Sequence, residues 1–355
     1  MRAFLFTLVF ILPLSTVTGY YIGGIFQLLT LFIVFLLIPI ADHILGITVR
    51  NPAPADEPGL IEQQLYRWLT WAVVPAQVAL LVWAFGLVAG GDVAPLPFVA
   101  LILSTGVVTG AMGLTAAHEL IHRQTQWERA LGKLLLATVW YLHWAVEHVS
   151  GHHRHVATPQ DPATAWLGES YYAFWPRSVF GGWFSAWDLE QQRLARLGLG
   201  PIRWANQVIQ GFVLQAALTV AIWITFGFWT MMFFVLQSAV AFSLLELVNY
   251  IEHYGLERQL TEDGKYEKVS SVHSWNDSHL LTNLFLFNLQ RHSDHHARPH
   301  IRYQALRHYD ESPQLPAGYA AMIPAALLPP LWRRIMDWRV TAHQVVPATT
   351  LPQSQ

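Results

Sequence analysis

The chain has 355 residues and a formal net charge of −2, with 53% hydrophobic residues, only 12% charged residues and no cysteine. That balance makes the bilayer the solvent for much of the chain, and the missing cysteine excludes disulfides, iron–sulfur clusters and an internally fused rubredoxin-type iron site. Neither the charge nor any basic run points to nucleic acid, and no Gly-rich dinucleotide fingerprint follows a strand pattern.

Two apolar runs of spanning length open the chain, residues 3–21 and 24–41, parted by Gly23-Gly24. The first lacks a charged n-region beyond Arg2 and a small-residue cleavage site, so it reads as a retained span. A polar connection over 42–66 leads to spans at 69–89 and 96–117, joined by Gly90-Gly91-Asp92. Residues 123–206 are mixed, and their apolar stretch Leu131–Val146 is short enough to be an interfacial or re-entrant helix. Spans at 208–226 and 229–250 meet at Gly227, and the polar remainder, 251–355, holds an apolar stretch, Tyr319–Trp332, broken by Pro324, Pro329 and Pro330. The expectation is an all-α membrane protein of six transmembrane helices with a histidine-rich cap. An even number of spans puts both termini and every histidine cluster on one side. The three opposite loops carry no Lys or Arg, so the positive-inside rule makes that side the cytoplasm.

Four clusters lie at or just beyond the ends of apolar segments. They are His118-Glu119-Leu120-Ile121-His122, Glu147-His148-Val149-Ser150-Gly151-His152-His153, Asn249-Tyr250-Ile251-Glu252-His253-Tyr254-Gly255 and Arg291-His292-Ser293-Asp294-His295-His296. Imidazoles at i, i+3 and i+4 share a helical face, and several converging on one point suit a first-row metal. The first cluster also matches the two-histidine zinc-protease pattern, but such a site needs one further ligand, not seven more histidines. His148, His152 and His153, at i, i+4 and i+5, serve two neighbouring metals better than one. A metal transporter would place ionisable residues within its spans, and here most spans have almost none. The nine candidate metal ligands and catalytic residues are therefore His118, His122, His148, His152, His153, His253, His292, His295 and His296. Glu119, Glu147, Glu252, Asp294, Glu246 and Asp161 are candidates for orienting imidazoles through the other ring nitrogen. His43, His143, His300, His308 and His343 read as interfacial or hydrogen-bonded, with His155, His273 and His279 intermediate.

These four clusters resemble the signatures of the integral-membrane alkane 1-monooxygenases, within the fatty-acid desaturase and hydroxylase superfamily. The run Val156–Ala165 and His273-Ser274-Trp275-Asn276 are similar to theirs too. The Glu-His-Tyr-Gly element at 252–255 points to the alkane and xylene branch. The resemblance implies one di-iron hydroxylase domain over 1–355, two non-haem iron ions on those nine histidines, and insertion of one oxygen atom from O2 into a terminal methyl group. It also implies electrons from rubredoxin and its reductase. Arg123 stands where many alkane hydroxylases have lysine, which leaves methyl hydroxylation of alkylaromatics, of the xylene or cymene type, as the alternative.

Hydroxylating an unactivated methyl leaves specificity to shape, so an apolar tunnel from bilayer to metal is expected. Leu114, Val139, Trp140, Phe242 and Leu245 are its candidate walls. Arg123, Arg129, Arg154, Arg291, Arg298 and Arg302 lie near the ligands in sequence and are candidates for docking an acidic electron donor.

Overall fold

The computed structural model describes residues 3–345, and its long elements are all helices. Six of them are long and apolar enough to cross a membrane. In chain order come α1 (Ala3–Ile22), α2 (Gly24–Leu45), α3 (Glu57–Ala89, broken at Gln63) and α4 (Pro95–Ile121). After α4 three helices lie outside the spans: α5 (Gln126–Ala137), α6 (residues 144–155) and α7 (Tyr171–Arg196). The last spans are α8 (Gln207–Phe226) and α9 (Phe228–His253), followed by α10 (Leu280–Phe285), α11 (His292–Ala297), α12 (Tyr319–Ala326) and α13 (Pro329–Val345). This is an all-α membrane protein. Reverses between α1 and α2 and between α8 and α9 fall on glycines with φ of 81° (Gly23) and 90° (Gly227), a backbone that side chains disfavour.

Five spans begin and end within four residues of where apolar length alone puts them, whereas α3 begins at Glu57 rather than at 69. Exposed apolar side chains such as Leu14, Ile44 and Ile224 face outward from α1, α2 and α8. The middle of the bundle is α4, packed along α9 where small residues let the backbones close in. A Cβ on Gly106 would lie 2.5 Å from Val240 Cβ and 2.9 Å from the Gln237 carbonyl oxygen, and one on Gly110 would lie 3.1 Å from the Ala241 carbonyl oxygen.

Two expectations change. The stretch Leu131–Val146 is not one interfacial helix: α5 ends at Ala137, and Trp140 takes φ of 56° so that its Nε1–H can donate to Thr219 Oγ1 on α8 (2.8 Å). Helix α5 then lies on α4 through Gly132, whose missing Cβ would sit 2.9 Å from Ile121 Cγ2. The mixed stretch before α8 contains the 26-residue α7, whose Ser170 cap accepts from the Ala173 N–H. Its pattern of Trp, Phe, Gly and Pro masks the helix from a composition reading. Residues 319–332 pack on the bundle as α12 and the start of α13: Tyr319, Met322 and Trp332 are buried against Tyr250 and Tyr254 of the α9 end.

Gly106→Leu is expected to overpack the α4–α9 contact and cost about 1–3 kcal/mol, read as a lower thermal-unfolding midpoint in detergent. Gly86→Leu on α3, where nothing lies within 4 Å of the added Cβ, leaves the midpoint unchanged.

Candidate metal centre

All nine candidate histidines come together at the ends of α4 and α9, closed over by α6 and α11. They divide into two sets, His118, His122, His148, His153 and His295 in one and His152, His253, His292 and His296 in the other, the ligand atoms of each lying within 4.8 Å of one another. The division follows from local helix geometry. His118 and His122, four apart on α4, keep one face. Residues His148–His152 form a π turn, whose i→i+5 hydrogen bonding brings His148 and His153 to one side and turns His152 to the other. On α11, His292 and His296 share a face while His295 points into the first set.

The contacts within each set are nitrogen to nitrogen. Nε2 of His148 lies 3.0 Å from Nε2 of His122 and 3.1 Å from Nε2 of His153, which is 3.0 Å from Nε2 of His295. In the second set Nε2 of His292 lies 3.3 Å from His253 and 2.9 Å from His296. Nε2 of His118 and of His152 are buried without a hydrogen-bond partner. A first-row metal takes imidazole nitrogen at roughly 2.0–2.1 Å, which puts neighbouring ligand nitrogens roughly 2.9–3.4 Å apart. One ring's N–H can donate across such a contact, but the spacing is also that of nitrogens sharing one metal ion, and the unpartnered Nε2 of His118 and of His152 turn to the same points. The residues present therefore fit two metal ions, and the rings of His153 and His296, 4.5 Å apart, bring the two sets into contact.

Burial keeps the rings neutral and able to ligate. His148, His153, His292, His295 and His296 are pushed well below the usual histidine range by burial and then by one another's charge. His152 is the exception. Burial lowers it, but Asp161 beside it outweighs burial and holds it up to about 9. Its Nδ1–H donates to Asp161 Oδ2 (2.9 Å), which Thr164 Oγ1 (2.7 Å) also engages, leaving Nε2 turned to the centre.

Of the six carboxylates considered for orienting imidazoles, Asp161 alone does so through the far ring nitrogen. Glu252 is instead on the metal side, its Oε2 3.1 Å from His292 Nε2 and its Oε1 held by the Tyr319 hydroxyl (2.8 Å). Asp294 binds no imidazole; fully buried, it takes Arg298 bidentately (2.8 and 2.7 Å), the Tyr309 hydroxyl and the Arg307 N–H, and so anchors α11. Glu119 faces Arg123 at 3.6 Å, and Glu246 accepts from Tyr141. None of His43, His143, His155, His273, His279, His300, His308 or His343 joins either set; His273 pairs with Glu267 and His279 with Asp277.

A narrow apolar cavity ends on this centre, touching His118, His148, His292 and Glu252. Along α4 its wall is Val107, Gly110, Ala111, Leu114 and Thr115, the helical spacing that leads to His118, and a π turn over Thr109–Leu114 widens this stretch. Of the expected walls Leu114 and Leu245 line it. Val139, Trp140 and Phe242 do not: Val139 is core, Trp140 turns to Thr219, and Phe242 stacks on Tyr141 and Trp175. The arginine expectation also changes. Arg123 is buried and caps the carbonyls of His300 and Ile301, Arg291 those of Leu306 and Thr48, and Arg302 pairs with Glu128. Only Arg154 of the six is exposed. Charge near a ligand in sequence was here mostly internal scaffolding.

A fatty acid desaturase family profile matches residues 93–326. The chain is 48% identical to alkane 1-monooxygenase 2 of Pseudomonas aeruginosa over 320 residues, covering 89% of this chain and 84% of the relative. The chain belongs to the membrane alkane monooxygenases, within the fatty acid desaturase family. The alkane 1-monooxygenase of Acinetobacter baylyi is 42% identical over 311 residues (88% of this chain, 76% of the relative). The xylene/toluene monooxygenase hydroxylase component of Pseudomonas putida is more distant, at 28% over 250 residues (69% and 66%). This membership makes the chain a monooxygenase with a histidine-rich metal site, and leaves no place for a protease or transporter.

Asp161→Asn is expected to lower metal affinity about 10–100-fold, measured as metal retained after equilibration with a graded chelator series. His155→Ala, outside both sets, retains the metal of the unaltered protein.

Proposed function

We propose that this monooxygenase hydroxylates the terminal methyl group of alkanes, using O2, two non-haem irons and electrons from rubredoxin supplied by its reductase. The observation that carries the reading is one apolar cavity ending on both histidine sets. His118, His122, His148, His153 and His295 would hold one iron, and His152, His253, His292 and His296 the other with Glu252 beside it. Bound irons supply oxygen activation and hydrogen abstraction, which no side chain performs.

The chain's own residues do the rest. Val107, Ala111 and Leu114 on one side and Leu244, Leu245 and Phe285 on the other offer nothing but dispersion contacts, which suits a hydrocarbon. A narrow apolar passage lets a chain enter only end-on, which brings a methyl rather than a methylene to His118 and His292. Trp144, stacked on His148 at 4.2 Å between ring centroids, closes the floor and keeps solvent from the reacting end. Asp161 holds the His152 proton on Nδ1, so Nε2 remains a ligand. The same apolar lining would take the alkyl group of an alkylaromatic, but the higher identity to alkane 1-monooxygenases favours the linear substrate. The basic residues gathered on the histidine side support placing that side, and the N-terminus, in the cytoplasm; the C-terminal residues 346–355 lie outside those described.

Product analysis tests the reading. With linear alkanes of several lengths beside xylene and cymene, the membrane fraction is expected to yield 1-alkanols. Oxidation of the aromatic methyls in preference to every alkane would overturn it. Ala111→Trp, two turns from His118, is expected to shorten the accepted alkane more than Val107→Trp, three turns away; identical chain-length profiles would contradict the end-on passage.

A further inference from the structure

A second cavity, with room for about one water, lies against the same wall, its polar lining Tyr141, His143, Glu147, Ser178, Glu246 and Asn249 beside Trp144. Trp144 and Asn249 belong to both cavities, so one layer of side chains separates them. Glu246 sits within the spanning helix α9 and is 2% exposed. Its Oε1 accepts from the Tyr141 hydroxyl (2.6 Å), while its Oε2 is buried with no close hydrogen bond, its polar neighbours being Ser178 and Asn249. Among the described residues no Lys or Arg pairs with it. A carboxyl buried in a span is expensive, and without a cation it persists where it handles protons or polar substrates.

The reaction proposed above creates a demand that the apolar passage cannot meet. In R–H + O2 + two electrons + two protons → R–OH + H2O, the C–H and O–O bonds break, one oxygen enters the new C–O and O–H bonds, and the other leaves as water. The electrons come from the donor protein and the protons from solvent. The passage is lined mostly by Leu, Val, Ile, Phe, Ala and Gly, and its few polar side chains leave most of the wall with no group to carry water or protons. We infer that the polar cavity is the proton route to the metal centre and that Glu246 is its relay residue, passing protons from solvent through ordered water toward the Trp144–Asn249 wall. The inference rests on the monooxygenation reading. Tyr141 fixes the carboxyl through Oε1 and leaves Oε2 to take up and release the proton. Room for an ordered water among polar groups completes the chain of donors. The relay touches neither substrate nor metal and acts through the water and the wall.

The test compares the full-length protein with Glu246→Gln and Glu246→Asp in the same bilayer preparation, reading metal content, hydroxylation in light and heavy water, hydroxylation of methyl-deuterated alkane, and the infrared carboxyl stretch. Glu246→Gln is expected to retain its metal and to slow turnover by about 100-fold, the lower end of what a positioned acid contributes. Its solvent isotope effect rises while its methyl-deuterium effect shrinks, because proton delivery becomes limiting; Glu246→Asp recovers part of the rate. In the infrared, a protonated carboxyl band lost in Glu246→Gln shifts on transfer of the unaltered protein to heavy water. Wild-type turnover in Glu246→Gln, a slowed rate with unchanged isotope effects, loss of metal, or a band that does not exchange would each overturn the relay. Should Glu246→Gln not fold, Tyr141→Phe must give the same change of isotope pattern in milder form, and an unchanged pattern there overturns the relay. If the unaltered protein oxidises no alkane, the substrate reading fails, whereas the exchange of the Glu246 band still decides the relay.

Discussion

Converging nitrogen lone pairs, packed about 3 Å apart in a buried space, are the constraint on which the rest of the molecule depends. A neutral imidazole carries one N–H and one lone pair, so hydrogen bonds can link some of these nitrogens but cannot use all the lone pairs that converge, and Nε2 of His118 and of His152 has no partner at all. Metal ions would use every converging lone pair at once, and the surrounding scaffold holds the rings in place for them. Fully buried Asp294, gripped by Arg298, Tyr309 and the Arg307 backbone, pins α11; Asp161 pins His152. Arg298 and Arg307 reach on to Glu57 at the foot of α3, tying the ligand helix to the span bundle.

The spans and the nine histidines were legible because each rests on a property that composition and spacing display: apolar length for the spans, clustered imidazoles at their ends for the site. How the histidines divide was not legible. His148, His152 and His153 suggested two metals, but a π turn decides which ring goes where, and no residue type announces one. The arginines misled for a related reason. Sequence shows where a charge sits along the chain, not that Arg123 and Arg291 turn inward to backbone carbonyls of distant segments. Glu252 reads by adjacency as an imidazole orienter, yet its partner Tyr319 lies 67 positions away and sets it on the metal side.

Function then divides the wall around the centre by polarity. One side is apolar and shaped, joined to the metal site through α4; the other is polar and small, joined through Trp144 and Asn249. A monooxygenase acting on a hydrocarbon needs both, because its two kinds of reactant, the chain and the protons, demand opposite surroundings. Helix α9 presents both faces, Leu244 and Leu245 to the apolar side and Glu246 to the polar one, with Asn249 shared.

The most direct measurement is metal stoichiometry on the purified, folded protein, taken together with iron Mössbauer spectra. Two irons per chain are expected, as two inequivalent sites of nitrogen-rich ligation, one with five imidazoles and one with four. A single iron per chain, a zinc-only protein, or two irons with identical environments would contradict the account.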